Sequence, residues 1–391
     1  MSCVDAPFIY AGLDFILDQQ GQWRFLEAND HPVAICHADE LERGGAHSIF
    51  SCEGVDYLAR ELIKISGDAP VCLLLPDCFK LPEPHFTKEK VVLKDLQDLE
   101  GRIKQSLDDF NMLLKAVSRF GHACYISDAL GVAVKDCYVH LSNGVKVGAL
   151  YRRSYDFPKV KTLTACANDL RYRYVCPNKS LTYEIIKSKV PHANPVPTYS
   201  MRDIDSLYDF VLHAEAEGLL IIEKPISGAG SRNVKRVSPK SLIDRDGGLT
   251  CKQGYIYQPW ISPSTIQKNG FKYFVDYRVY LVSGKPIAGC ARQAAGPTSG
   301  PTSNTAISWL TTTGPLLPIT SQMKKGSSAI ISAIEDKQLF DLFQISKDVC
   351  TALEEYVSKL EYASTCETLT SFAKQLDINS EVRFVSLVSN P

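Results

Sequence analysis

The chain has 391 residues, of which 45% are hydrophobic and 22% are charged, values typical of a globular protein built from two or three packed subdomains. Its 43 Lys and Arg residues almost balance its 44 Asp and Glu residues, and the net charge is −1. This balance argues against a dedicated nucleic-acid or membrane-surface binder, because such proteins carry a basic excess. No apolar run approaches the ~20 residues of a membrane-spanning helix.

The first residues show no basic segment ahead of an apolar one, so no secretory signal is visible and we predict a cytoplasmic protein. The chain contains 13 cysteines, but none of them form a CxxC pair. Zinc knuckles and redox motifs use such close pairs. We therefore expect reduced thiols that lie mostly in the core.

The first half of the chain predicts an α/β arrangement. Residues 13–29 read as a β-hairpin, because strand-forming residues flank a turn at Gln19-Gln20-Gly21. Helices and strands then alternate, which is typical of an α/β unit. In chain order we expect a helix over 55–65, a buried strand over 71–75, a helix whose apolar face runs from Ile103 to Val117, a strand over 123–127, and a hairpin that turns at Asn143-Gly144.

The second half begins with a helix and a proline-punctuated linker. The first helix is expected over 180–189. After the linker we expect a helix over 205–216, strands over 219–223, 233–237 and 255–261, a long hairpin over 274–292, and an amphipathic helix over 345–360. Between the last two lies a segment of small residues, 293–305, which is long enough to indicate a functional loop.

Three polar residues near the N-terminus form the first candidate site. Glu27 and Asn29 are two residues apart on a strand and therefore share a face. In the predicted hairpin Asp14 lies opposite Glu27, and two facing carboxylates repel unless a cation lies between them. Carboxylate and amide oxygens suit Mg²⁺ held partly by substrate phosphates. The alternative is an exposed acidic face.

Two further segments place cations at strand ends. An apolar strand brings Lys224 to its end. The loop that follows contains Ser227, Gly228 and Gly230, and its backbone N–H groups can approach phosphate oxygens. Arg278 and Arg292 lie on the hairpin that leads to the loop and Asn304, where they suit a developing phosphoryl or oxyanion charge. The alternatives are a simple turn and surface ion pairs.

Read in chain order, these pieces resemble the ATP-grasp superfamily. The carriers are Lys179 ahead of the linker, Lys224 with its Gly/Ser loop, the YQPWI segment, and the DYR…R…N series. The stretch VDYRVYLVSGKPIAGCAR is most similar to the glutamate ligases that modify a ribosomal protein. The stretch GLDFILDQQGQWRFLEAND resembles the metal motif that closes the family's chains. It comes first here, so the resemblance implies a circularly permuted ATP-grasp fold with an additional N-like α/β domain.

The resemblance implies a role for each matching residue. Lys179 and Lys224, with the Ser227–Gly230 loop, would contact ATP phosphates. Gln258 and the backbone of Trp260 and Ile261 would contact adenine. Asp14, Glu27 and Asn29 would hold Mg²⁺. Arg278 and Arg292 would neutralise the transferring phosphoryl group or the oxyanion, and Asn304 would assist. No acidic residue follows Trp260 closely to bind the ribose, which departs from the family pattern.

The implied reaction is ADP-forming ligation of a small-molecule carboxylate to an amine, through an acyl phosphate. Arg152 and Arg153, with Arg171 and Arg173, are candidates to grip a substrate carboxylate, and a solvated basic surface is the alternative. An ATP-grasp kinase and a non-catalytic nucleotide-binding protein are the rival functions. Neither a nucleic-acid nor a membrane partner is expected. The predicted parts are a permuted closing segment (1–45), an N-like domain (46–175), a lid subdomain (176–262) and a core subdomain (263–391).

Overall fold

A computed structural model describes most of the chain. The described residues are 10–32, 35, 38, 54–76, 79–81, 85–93, 101–153, 161–168, 170–227, 233–268, 270–293, 316–317, 336–362, 365 and 385–389. Gly228, Gly230, Asn304 and residues 294–305 of the predicted loop lie outside this part of the chain.

Six helices longer than one turn are described: α1 (Gly54–Ser66), α2 (Gly101–Arg119), α3 (Leu170–Val175), α4 (Lys179–Lys189), α5 (Ile204–Ala216) and α6 (Asp336–Ser358). The strands are β1 (Tyr10–Leu17), β2 (Trp23–Asn29), β3 (Val71–Leu74), β4 (Phe79–Lys80), β5 (Phe86–Thr87), β6 (Val91–Leu93), β7 (Cys124–Ser127), β8 (Val132–Lys135), β9 (Tyr138–Leu141), β10 (Ala149–Arg152), β11 (Ala165–Ala167), β12 (Tyr199–Ser200), β13 (Ile221–Pro225), β14 (Lys235–Val237), β15 (Tyr255–Pro259), β16 (Thr265–Lys268), β17 (Phe271–Val282), β18 (Lys285–Gln293), β19 (Leu316–Leu317) and β20 (Val385–Ser389).

The first half of the chain forms a mixed sheet in the order β11-β10-β3-β7-β5. Its four strands from β11 to β7 run parallel, and β5 is antiparallel to β7. The wholly apolar β3 is buried along its length, as expected for a strand with both faces covered. Helices α1 and α2 pack in the same hydrophobic cluster. The α/β class predicted from the sequence is confirmed.

The largest sheet is antiparallel and joins the N-terminal hairpin to strands from the second half of the chain. Its order is β19-β18-β17-β1-β2, with β16 paired to the first part of β17. On one face, alternate residues such as Leu13, Phe15 and Val279 are buried against α4 and α6. The residues between them point to the opposite face, and these include most of the polar residues that the sequence singles out.

A four-stranded antiparallel sheet, in the order β12-β15-β13-β14, makes a third layer. Helix α5 covers one of its faces, to which Ile221 and Tyr257 contribute. The predicted strand over 219–223 is shifted, because β13 continues through Lys224 and Pro225 by pairing with Ile256 and Tyr255 of β15. Lys224 therefore pairs within the sheet, one residue before the end of the strand.

The C-terminal strand β20 lies between two strands from the first half of the chain, parallel to β4 and antiparallel to β6. Helix α6 begins earlier than predicted, because Leu339 and Leu342 extend the apolar spacing of its buried face. None of the described helices combines the length and the hydropathy that a membrane span requires. The cytoplasmic location and the domain boundaries remain predictions.

Candidate functional site

The candidate site lies on the polar face of the large antiparallel sheet. Both ends of this face are apolar. At one end Tyr10 and Tyr280 pack with the parallel-sheet half, and at the other end Ile16 packs with Trp260 and Phe274. Charged and polar residues occupy the middle. They are Asp14 on β1, Glu27 and Asn29 on β2, Asp276 and Arg278 on β17, and Arg292 on β18.

Two aspartate–arginine forks form the centre of the site. Arg278 donates from Nε and Nη2 to the two carboxylate oxygens of Asp14 at 2.6 and 2.7 Å. Arg292 donates from Nε and Nη2 to the two oxygens of Asp276, both at 2.7 Å, and its Nη2 also lies 3.0 Å from Asp14 Oδ2. Both aspartates are 1% exposed, so these charges are compensated almost entirely by each other.

The ionisation of these groups follows from the pairing. Burial opposes the charge on Asp14, but Arg278 and Arg292 outweigh it and lower the pKa of Asp14 to about 2. Burial likewise opposes the charge of the two arginines, and Asp14 raises the pKa of each above its ordinary value. Burial raises the pKa of Asp276, although Arg292 acts against this.

Bulges set the register that brings these residues together. Leu17, Ile16 and Phe15 pair with Trp23, Arg24 and Phe25, but the register then shifts so that Asp14 lies opposite Glu27 and Leu26 is the extra residue. The hairpin β17–β18 contains the same kind of shift, between Tyr280 and Leu281. The shift places Asp276 opposite Arg292. Bulges commonly redirect side chains beside functional sites.

The predicted pairing of Asp14 with Glu27 is confirmed, and so is the expectation of cations beside them. Glu27 Oε2 lies 3.7 Å from Nζ of Lys179, the first residue of α4. Asn29 Nδ2 donates to Asp14 Oδ2 at 3.3 Å, which leaves Asn29 Oδ1 with no recorded hydrogen bond in the described part of the chain. Glu27 is 28% exposed.

These oxygens fit a divalent cation in part. Glu27 and the Asn29 amide oxygen are hard ligands of the kind that Mg²⁺ prefers, whereas the oxygens of Asp14 already accept from two arginines and Asn29. Within the described residues, no group of three or more His, Cys, Asp or Glu side chains is placed to hold a metal ion. A cation here would therefore need oxygens from its substrate.

Lys224 reaches the same place from the third layer. Strand alternation puts Lys224 and Gln258 on the face of their sheet opposite α5, and Lys224 is only 6% exposed. Burial, together with the charge of Lys179, lowers the pKa of Lys224 to about 8, although Glu27 and Asp14 act against this. The described residues give its ammonium group neither a hydrogen bond nor an ion pair, so it has unused capacity for an anion.

The predicted adenine-binding segment is only partly open. Gln258 is buried and donates to Thr198 Oγ1 at 2.7 Å. The Trp260 N–H donates to the Leu220 carbonyl at 2.8 Å, so it is not available to a base. No hydrogen bond is recorded for the Ile261 N–H within the described chain. Ser227 lies two residues past the end of β13, and the Lys179 N–H donates to the carbonyl of the preceding residue, Ile226, at 3.0 Å.

Two of the four arginines proposed for substrate, Arg152 and Arg153, lie at the carboxyl end of β10 and directly after it. Arg152 donates to the Asn168 carbonyl at 2.7 Å. Arg153 donates to Ser106 Oγ at 2.6 Å and pairs with Asp109 at 3.0 Å. Both are buried, so neither of these two belongs to a solvated basic surface. Their role as substrate contacts remains a prediction, made weaker by these protein partners.

Sequence reasoning missed two features. It did not identify Asp276 as the partner of Arg292. It also missed the bulge at Leu26. A signal for the bulge was present, because the buried residues of β2 change from a spacing of two, at Trp23 and Phe25, to a spacing of three at Ala28.

Sequence comparison finds no matching protein family and no matching curated protein. Among solved structures, the chain is similar to one from Methylobacillus flagellatus KT that is named "putative gamma-glutamylcysteine synthetase". The identity is 13%, the alignment covers 94% of this chain and 90% of that chain, and the TM-score is 0.46. A similarity at this level assigns neither a fold nor an activity to the chain.

Proposed function

We propose that the chain is an ATP-dependent, ADP-forming carboxylate–amine ligase with a circularly permuted ATP-grasp fold. The observation that carries the proposal is the convergence of four cations, Lys179, Lys224, Arg278 and Arg292, on one buried site. They come from a helix and three strands of two different sheets. Such a cluster suits a polyphosphate, which offers several oxygens to charged donors at once.

The nucleotide would lie between the two antiparallel sheets. Lys179 and Lys224 would contact its phosphates, together with the loop that begins at Ser227. The adenine would lie against β15, with the Ile261 N–H as the donor to its edge and Gln258 nearby. Glu27 and Asn29 would hold Mg²⁺, which supplies charge neutralisation between the phosphate oxygens when it is bound.

In the proposed reaction a substrate carboxylate oxygen attacks the γ-phosphorus, and the bond to the ADP oxygen breaks. An amine then attacks the carbonyl carbon of the acyl phosphate, loses a proton, and displaces inorganic phosphate. Arg278 and Arg292 would stabilise the negative charge that moves onto the transferring group. Asn304 is proposed to assist. The substrates are small-molecule carboxylates and amines of amino-acid or peptide type.

The permuted arrangement is supported by contacts near α3. The Tyr10 N–H, at the start of β1, donates to Asn168 Oδ1 at 3.1 Å. Arg171 Nη1 donates to the carbonyl of Leu360, two residues past the end of α6, at 3.3 Å. Asn168 and Arg171 are close in sequence, so the start of β1 and the end of α6 are neighbours. A chain could pass from α6 to β1 there, which is the element order of the unpermuted family.

The experiment that tests the proposal measures ADP release by the full-length chain across a panel of carboxylate and amine pairs with Mg²⁺ and ATP. A ligase forms ADP, phosphate and an amide in equal amounts, and only when both substrates are present. ADP with a phosphorylated product and no phosphate release would identify a kinase. Nucleotide binding without ADP formation for any pair would identify a binding protein and contradict the proposal.

A further inference from the structure

The two aspartate–arginine forks share one geometry, in which Nη1 of each guanidinium is left available to a ligand. In both cases Nε and Nη2 face the aspartate. Neither guanidinium has a recorded hydrogen bond from Nη1 in the described part of the chain. A guanidinium is planar and rigid, so fixing the Nε–Nη2 edge also fixes the direction in which the Nη1 N–H groups point.

Asp276 is the residue that fixes this edge in Arg292. It is 1% exposed, and it lies directly opposite Arg292 in the β17–β18 register. Asp14 also contacts Arg292, but only through Nη2 at 3.0 Å, and a single contact does not set the plane of the group. Both oxygens of Asp276 are used for Arg292, and no described residue other than Arg292 donates to them.

We infer that Asp276 is a positioning residue, which holds the Arg292 guanidinium so that Nη1 contacts the transferring phosphoryl group. This inference rests on the proposed function. It assigns Asp276 a role in the reaction although Asp276 touches neither substrate nor metal. A displacement of about 1 Å is enough to weaken such a contact strongly.

The test compares two nucleotides that differ in the group Arg292 should contact. AMPPNP carries a γ-phosphoryl group and ADP does not. We expect Asp276→Asn to weaken the binding of AMPPNP with Mg²⁺ at least about tenfold, since a charge-assisted contact is lost. ADP binding should change by less than about twofold. Isothermal titration calorimetry on the full-length chain gives both constants.

A double-mutant cycle then separates positioning from general damage. In an Arg292→Gln background the Asp276→Asn change should alter AMPPNP binding by less than about twofold, because no guanidinium remains to be positioned. Asp109→Asn is the matched control, since it breaks a buried Asp–Arg pair at a different place in the chain. It should leave the ratio of ADP to AMPPNP dissociation constants unchanged.

Two results would overturn the inference. One is an equal loss of ADP and AMPPNP affinity in Asp276→Asn, and the other is a persistent effect in the Arg292→Gln background. If Asp276→Asn does not fold, Asp276→Glu keeps the buried charge and decides the matter. Its longer side chain should displace the Arg292 guanidinium and selectively weaken the binding of AMPPNP. An unchanged ratio of ADP to AMPPNP dissociation constants would overturn the inference. If the wild-type chain binds neither nucleotide, the proposed function is wrong and the inference falls with it.

Discussion

Lys224 is a buried ammonium group whose described surroundings offer it no acceptor, and its pKa lies near 8. Because only the protonated form attracts phosphate, nucleotide affinity should fall as pH rises through this value. The fraction of protonated Lys224 drops about tenfold from pH 7 to pH 9, so the association constant of AMPPNP should fall by up to about tenfold. Calorimetric titrations at several pH values measure this.

Two variants isolate the contribution of Lys224. Lys224→Arg keeps its charge throughout the range, so dividing wild-type affinities by those of this variant removes the titration of the nucleotide itself. Lys224→Ala should bind AMPPNP more weakly by about 1.5–3 kcal/mol at pH 7. A ratio that does not vary with pH, or an unchanged affinity in Lys224→Ala, would contradict the assignment of Lys224 to the phosphates.

Asp14 should matter for stability as well as for the site. Its pKa in the folded chain, about 2, is below the ordinary value of 3.8, so its contribution is present above about pH 4 and is lost as pH falls towards 2. At pH 7 Asp14→Asn should lower the free energy of unfolding by about 3–5 kcal/mol, because it leaves buried arginines without their partner. Urea unfolding of both proteins measures the difference.

The same unfolding measurements at low pH provide a control, because the contribution of ionised Asp14 is lost there. By pH 3 about 1 kcal/mol of the difference between wild type and Asp14→Asn should have gone. The exposed Asp246 offers a comparison, and Asp246→Asn should change the free energy of unfolding by no more than about 0.5 kcal/mol. A difference between wild type and Asp14→Asn that stays constant from pH 5 to pH 3 would show that the Asp14–Arg278 pair does not stabilise the fold.

At the level of single residues, the sequence identified the charged groups of the site but not all their partners. Strand alternation and the repulsion between Asp14 and Glu27 predicted a compensating cation, and the structure supplies Arg278, Arg292 and Lys179. The partner of Asp276 could not be predicted in this way. It depends on pairing across a long hairpin, where a one-residue shift changes which side chains face each other.

Two β-bulges explain why regular hairpins would not build this site. A regular ladder from the pair Leu17–Trp23 would place Asp14 opposite Leu26 and would turn Glu27 towards the apolar core. The observed shift puts Leu26 and Glu27 on the same face and returns Ala28 to the core. In β17–β18 a regular ladder from Val282–Lys285 would place Asp276 opposite Ala291 instead of Arg292. Each bulge moves one charged side chain into position.

Deleting Leu26 tests whether the site depends on the strand pairing or on the bulge itself. Without the extra residue, β2 can pair with β1 as a regular ladder in which Glu27 stays opposite Asp14 and Ala28 stays opposite Leu13. Because the register decides which side chains share a face, we expect the deletion variant to bind AMPPNP with Mn²⁺ within about tenfold of wild type, as followed by electron paramagnetic resonance of the metal. Leu26→Met keeps the extra residue and should bind within about threefold of wild type. A loss of at least about a hundredfold in the deletion variant alone would show that the pairing is not sufficient and that the bulge itself shapes the site.

Most secondary-structure elements could be predicted because their apolar spacing is regular. The helix over 205–216 and the hairpin over 274–292 agree closely with α5 (Ile204–Ala216) and with β17 and β18. The position of β20 could not be predicted. It lies between β4 and β6, and strands of two and three residues leave almost no pattern from which to infer a distant partner.

On the scale of the whole molecule, the N-terminal hairpin belongs to the middle of the structure. Strand β1 lies between β2 and β17, and its side chains contribute to both of the largest hydrophobic clusters. Trp23 Nε1 also donates to the Gln338 carbonyl near the start of α6 at 2.7 Å. The large sheet is therefore assembled from segments more than 200 residues apart in sequence. Long-range strand pairing of this kind slows the folding of a chain.

The proposed permutation predicts that the order of the segments can be changed without changing the contacts. A rearranged chain would begin at residue 46, run to Pro391, and continue through a flexible linker into residues 1–45. Since a linker costs only the entropy of closing a loop, which grows slowly with its length, every contact of β1 and β2 can form again. We expect the rearranged chain to bind AMPPNP within about threefold of the natural chain.

A chain of residues 46–391 alone is the control, because it lacks β1, β2 and three site residues and should bind no nucleotide. Adding a separate peptide of residues 1–45 to that control should restore binding only in part, since association then costs additional entropy. If the rearranged chain folds but does not bind, the order of the segments matters in a way that the contacts between them do not explain, and a simple permutation of an ATP-grasp chain is wrong.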